Sequence, residues 1–240
     1  MDDLLPPELD DLEPEDDAAA RVRACGVPYP EWGWDCLREW RAEGVSPADL
    51  RDWGRALAPG RWGLLLHGAP GLGKTVAACC VIRDAAERRV GSAGAWVVVT
   101  SSRTQEAVAA GAFRQRPAPA QFHRWRDLKA RLDAAKTGAL PWGEEPPLTA
   151  DKLLGEIEGR CAVLALDDVD VDAHTPWKEE VLLRLLEIPL RHRRLVLTTN
   201  LLQDQARARD RLGERVVDRL MDPLVFARVR FVGESFRRRR

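Results

Sequence analysis

Residues Gly68-Ala69-Pro70-Gly71-Leu72-Gly73-Lys74-Thr75 fit the pattern G-x-x-x-x-G-K-[ST] at every fixed position. A loop of this kind cradles the phosphates of ATP or GTP. Its backbone N–H groups, with those of the helix that follows, point at phosphate oxygens; Lys74 reaches the outer phosphates, and the Thr75 hydroxyl is placed to ligate Mg²⁺. Gly68, Pro70, Gly71, Leu72, Gly73, Lys74 and Thr75 are therefore the expected nucleotide-binding residues. About 90 residues further on, the apolar run Ala162-Val163-Leu164-Ala165-Leu166 ends in Asp167-Asp168. Asp167 is expected to hold Mg²⁺, directly or through water. Asp168 is expected to polarise the attacking water, because in-line attack on a γ-phosphate needs an acceptor within hydrogen-bond reach of that water. Two acids capping the next turn are the alternative. A third run, Arg194-Leu195-Val196-Leu197-Thr198-Thr199, ends at Asn200, the expected sensor of γ-phosphate and water. Arg215 and Arg219 stand four apart and share a face if helical, and one of them is a candidate for stabilising charge on the transferring phosphoryl group.

These residues need an α/β frame. Trp62 to His67 reads as a short buried strand and Thr75 to about Val90 as a helix, which puts the glycines at a strand-to-helix turn. Ala95 to Thr100 reads as another buried strand, with a helix from about Arg103. A helix is expected near Phe122 to Lys136, carrying His123, Arg124, Trp125, Arg126, Lys129 and Arg131; it suits either nucleic-acid contact or a solvated basic face. After the Ala162–Asp168 strand come a helix from about Trp177 to Leu190, the strand ending at Asn200, and an alternating edge strand from Val225 to Val232. Ligands bind at the carboxyl ends of strands in open α/β sheets, which is where the polar residues of these runs fall.

The chain has 240 residues, 45% of them hydrophobic, which suits one α/β domain with a small extension. Its formal net charge is −1, but the charges are segregated. The first twenty residues hold nine carboxylates and neither Lys nor Arg, whereas Arg184 to Arg240 hold fifteen Arg against seven acids, so 15 − 7 gives +8. Residues 1–20 are read as a disordered acidic tail, 21–58 as a small helical region whose tryptophans (Trp32, Trp34, Trp40, Trp53) pack against the core, 59–237 as the ATPase domain, and 238–240 as a basic tail. Ser46-Pro47-Ala48-Asp49 has the form of a helix start. The five cysteines include no C-x-x-C pair, so neither a disulfide framework nor a zinc site is expected. With no apolar run near membrane-spanning length and an acidic start, a cytoplasmic protein without membrane contact is expected.

The chain resembles AAA+ ATPases of the DnaC/IstB type, the replicative-helicase loaders and the ATPase helpers of certain transposases. The resemblance spans about residues 50 to 237 and is carried by GAPGLGKT, LALDDVD at Leu164 to Asp170, LVLTTNL at Leu195 to Leu201, RLGERVVDRL at Arg211 to Leu220, and GESFR at Gly233 to Arg237. It implies a P-loop AAA+ core of parallel strands flanked by helices, without a C-terminal lid domain. It implies ATP hydrolysis with Mg²⁺, self-association into a ring or spiral, and Arg219 as an arginine finger supplied to the neighbouring subunit, with Arg215 on the same interface. It also implies single-stranded DNA and a replicative helicase as partners, or a transposase in the IstB-like alternative. Val169-Asp170 stands where the family favours Leu-Gly, which leaves Asp168 and Asp170 both in view as the water-activating acid.

Overall fold

The computed structural model describes residues 22, 24–29, 31–37, 41–43, 50–51, 63–87, 120–137, 149–160, 163–189, 194–202 and 204–236. Six strands form one sheet: β1 (Arg41–Glu43), β2 (Gly63–Gly68), β3 (Ala120–Arg124), β4 (Val163–Asp167), β5 (Arg194–Thr199) and β6 (Phe226–Val232), in the order β1-β6-β2-β5-β4-β3. Strands β6, β2, β5, β4 and β3 run parallel, and β1 pairs antiparallel with β6. The helices are α1 (Lys74–Glu87), α2 (Trp125–Thr137), α3 (Ala150–Arg160), α4 (Pro176–Leu186), α5 (Gln205–Leu212) and α6 (Glu214–Met221).

The middle stretches of the central strands (Leu64 to Leu66, Val163 to Leu166, Leu195 to Leu197) are apolar at every step because both faces of the sheet are covered. Alternation sends Leu65, Leu164, Leu166, Leu195 and Leu197 to one face, where they meet residues from α2 to α6. Leu64, Leu66, Val163, Ala165 and Val196 go to the other, against α1 and residues 22–37. Trp32 and Trp34 pack on this second core, as the sequence suggests, and the Trp34 indole N–H donates to Asp84 of α1 at 3.0 Å. Cys25, Cys79 and Cys80 are buried free thiols, and burial pushes Cys80 up to about 12.

Three expected elements differ. Phe122 to Arg124 is strand, not helix: Phe122 is buried beside β4 and its N–H donates to the Cys25 carbonyl, so pairing overrides helix continuation until Trp125. Trp125 is itself buried in the core, which removes the one aromatic from the basic helical face. Strand β6 is not an edge, because residues 41–43, read as part of a helical region, supply β1 to cover it. Helix α4 ends at Leu186, short of Leu190, and Glu187–Ile188 continue as a turn. The expected strand at 95–100, the helix from 103 and the helix start at 46–49 lie outside the described residues. Among the described residues, no helix is long and apolar enough to cross a membrane.

Candidate functional site

The site lies at the carboxyl ends of β2, β4 and β5, which the sheet register brings side by side. Gly68 closes β2 with φ 145°, and a Cβ there would run into the Phe231 carbonyl of β6, so only glycine lets the loop leave the strand at this point. Pro70 is exposed and Gly71 partly so, while Leu72 is buried in the α1-side core and anchors the loop. The loop is also held from outside: the Phe236 N–H donates to the Gly71 carbonyl at 2.9 Å, and Leu37 lies against Gly73. Lys74 opens α1, and its ammonium donates to the carbonyls of Gly68 at 2.9 Å and Ala69 at 2.8 Å, which holds it across the loop.

Asp167, the last residue of β4, is the centre of the cluster. Its carboxylate is buried and accepts from the Thr75 hydroxyl at 2.9 and 3.2 Å and from the Thr198 hydroxyl at 2.7 Å. Burial pushes this acid up to about 6, helped by the Asp168 charge and opposed by the two hydroxyl bonds and Arg124. The Thr75 and Asp167 oxygens form a hard oxygen donor pair opposite the phosphate loop, and a buried carboxylate held there at a desolvation cost suits a divalent cation such as Mg²⁺. Among the described residues, no cluster of three or more His, Cys, Asp or Glu could hold a metal, so such an ion would rest on this pair together with nucleotide oxygens.

Beyond Asp167 the chain turns sharply. Asp168 has φ 54°, the left-handed conformation that non-glycine residues seldom adopt, and its N–H donates to the Thr198 hydroxyl at 2.8 Å. The turn leaves the Asp168 side chain partly open and sends Asp170 inward, where it accepts the Asn200 backbone N–H at 3.2 Å. The Asn200 amide bridges both acids, at 3.4 Å to each. Thr75, Asp167, Asp168 and Asn200 are thus brought together, at the end of the strand pair next to the loop that carries Lys74.

Arg215 and Arg219 are not brought to this cluster. They lie on the outward side of α6, whose inward residues Val216, Val217 and Leu220 join the core and which packs on α4 and α5. Among the described residues neither arginine bonds any member of the cluster.

Sequence reasoning passed over several residues that shape the site. Thr198 could have been found, being a hydroxyl two residues before Asn200 on a strand ending at the site. Leu37 carries no local signal, since its role is a long-range contact, whereas Phe236 lies in the GESFR stretch that the resemblance singles out, which does not say that it reaches the phosphate loop. A concavity of about 190 Å³ lined by Pro28, Phe122, His123, Arg124 and Arg131, among others, contains none of the expected site residues.

A phosphate loop on a central parallel strand, with an acid pair two strands away and an asparagine on the strand between, makes this an α/β phosphate-loop fold. The fold is similar to that of solved DnaC and DnaA structures. The solved structure of the DnaC helicase loader matches with a TM-score of 0.52 and 20% identity, over 80% of this chain and 95% of that one. A replication initiator DnaA bound to AMPPCP and single-stranded DNA matches with a TM-score of 0.51 and 14% identity, over 83% of this chain. The chain spans about half the length of that DnaA structure and of a DNA replication initiation factor that it also matches. No protein-family model matches the sequence, and no curated protein does.

Proposed function

We propose that the chain is an ATP-hydrolysing, DNA-binding helicase loader of DNA replication that works as a self-associated ring or spiral. The observation that carries the hydrolytic part is the division of labour between neighbouring acids. Asp167 is buried and held by two hydroxyls, while Asp168 is turned outward beside the Asn200 amide. The first suits cation binding and the second suits accepting a proton from water, two tasks that one carboxylate performs poorly.

In this reading the loop amides and Lys74 hold the phosphates, and Thr75 and Asp167 hold Mg²⁺. The ion supplies charge neutralisation at the phosphate oxygens. Asp168 orients and polarises the attacking water, and Asn200 fixes the Asp168 carboxylate while presenting its N–H₂ to the γ-phosphate side. Arg219, with Arg215 beside it, acts on a neighbouring subunit's phosphates; its position on the outer face of α6, away from its own loop, supports that assignment. The loader role rests on the fold likeness to DnaC, and the single-stranded DNA partner on the basic last third of the chain together with the DnaA likeness.

The test is a mixing experiment. Asp168→Asn keeps its arginines but loses its own chemistry; Arg219→Ala keeps its pocket but offers no finger. Each alone is expected to be nearly inactive, since an arginine finger contributes roughly 10³ to 10⁵ in rate. Mixed, hydrolysis should return and peak at intermediate ratios. A mixture as inactive as its parents, with mixed oligomers demonstrably present, would remove Arg219 from the active site.

A further inference from the structure

Lys178 has no part in the chemistry above, yet it is fully buried, a rare place for an ammonium. It sits in the first turn of α4, after the N-cap Thr175, whose hydroxyl accepts the Lys178 N–H at 3.1 Å. A cation is poorly placed at the start of a helix, where the dipole is positive. The side chain leaves that end and reaches two backbone carbonyls on other elements. One is Asp172, in the loop that carries Asp168 and Asp170, at 2.7 Å; the other is Arg211, in the last turn of α5, at 3.2 Å. The ammonium also lies 5.9 Å from the centre of the Trp125 ring.

The Arg211 contact falls on the corner that aims α6. Helix α5 stops at Leu212, Gly213 turns the chain with φ 91°, and α6 starts at once with no side-chain cap. Glu179, next to Lys178, packs its carboxylate against Gly213 and is held by His174 at 2.8 Å. The first turn of α4 therefore grips both sides of the corner. Among the described residues, the Lys178–Arg211 bond is the hydrogen bond that joins α4 to the α5–α6 unit; beside it stand the Glu179 contact with Gly213 and apolar packing, which resists sliding less well.

We propose that Lys178 is a positioning residue that fixes the α5–α6 corner to the acid loop, and so sets the direction in which Arg215 and Arg219 are presented to a neighbouring subunit. The inference rests on the reading of Arg219 as acting in trans. The acid loop does not depend on Lys178 to the same degree, because Thr198 and Asn200 hold it from β5 through the Asp168 N–H, the Val169 N–H and the Asp170 carboxylate. Loss of Lys178 should therefore harm the arginine that a subunit gives more than the pocket that it keeps.

The mixing experiment separates the two. Lys178→Met keeps chain length and apolar bulk and removes the donor. It is placed first in the Asp168→Asn subunit, which donates the finger, and then in the Arg219→Ala subunit, which donates the pocket. Recovered hydrolysis should fall roughly tenfold or more in the first arrangement and stay within about threefold in the second, at unchanged KM, against a full finger effect of roughly 10³ to 10⁵. Equal losses in both arrangements would mark Lys178 as merely structural, and recovery retained in the first would also overturn the proposal. If Lys178→Met does not fold, Gly213→Ala drives a methyl into the Glu179 carboxylate and disturbs the same corner from the other side. It should give the same asymmetry, and equal losses would count against the proposal in the same way. The parental mixture without either change reports on the trans reading itself; its failure would sink that reading, and this inference with it, whereas its success leaves the Lys178 arms to decide.

Discussion

The Thr198 hydroxyl donates to the buried Asp167 carboxylate at 2.7 Å. The same oxygen accepts the Asp168 N–H at 2.8 Å, so one side chain of β5 satisfies the buried acid and holds the left-handed residue after it. Thr198→Val should cost about 2 to 3 kcal/mol in urea unfolding, the range for a buried hydrogen bond to a charged group plus an N–H left without its acceptor. Thr198→Ser should keep most of this stability. Equal stability of the Val variant and the parent would show that the hydroxyl is dispensable.

Asp168 and Asp170 should separate cleanly by substitution. Asp170 is nearly buried and holds both the backbone and the side chain of Asn200, so Asp170→Ala should lower stability by about 1 to 3 kcal/mol. Asp168 is more open and meets only the Asn200 amide among the side chains described, so Asp168→Asn should change stability by less than about 0.5 kcal/mol while abolishing phosphate release. Thermal melts and single-turnover hydrolysis on both variants check the assignment. Hydrolysis surviving in Asp168→Asn would pass the water-activating role to Asp170.

His123 should set part of the acid limit of the fold. Burial lowers it from 6.5 to about 4, with the Arg131 charge adding to the effect. A folded pKa below the unfolded one means the contribution is complete above about 6.5 and is lost as pH falls through about 4. The shift corresponds to up to about 3 kcal/mol, reduced by the solvent that reaches the ring's open edge. Stability measured from pH 7 to 3.5 should fall less steeply in His123→Gln than in the parent, and parallel curves would contradict the burial argument.

Binding to single-stranded DNA should be dominated by phosphate contacts, because exposed Arg207, Arg209, Arg215, Arg228 and Arg230 supply the positive charge that meets a phosphate backbone. Five such contacts, at the single-strand slope of about 0.7 per phosphate, would lower affinity by roughly 10² between 50 and 200 mM salt. A salt-independent affinity would exclude this mode.

What was legible in the sequence follows the range of the interactions. The phosphate loop, the strand ending in Asp167-Asp168 and the strand ending at Asn200 are local patterns, and each sits where its pattern demands. The Phe122–Arg124 stretch misleads because its helical spacing continues into α2, and only pairing with β4 makes it strand. β1 is three residues long and stands on β6 alone, so nothing in its own composition announces it. Lys178 is the extreme case. A lysine in the first turn of a helix reads as a solvated charge, and its burial depends on two carbonyls that arrive from elsewhere in the chain.

Leu37 and Phe236 both touch the phosphate loop, and Phe236 reaches Gly71 across 236 − 71, or 165, positions of sequence. A contact of that span can form only after almost all of the intervening chain exists, which makes it late in any order of assembly. During synthesis from the N-terminus, the loop sequence therefore leaves the ribosome long before the segment that finishes its shape. Stalled nascent chains in which Phe236 is still inside the exit tunnel should retain little labelled ATP analogue, and chains lengthened until it has emerged should retain it fully. On the proposed function, nucleotide capture then marks the point at which β6 and Phe236 have emerged, and a half-made chain is kept out of the proposed assembly.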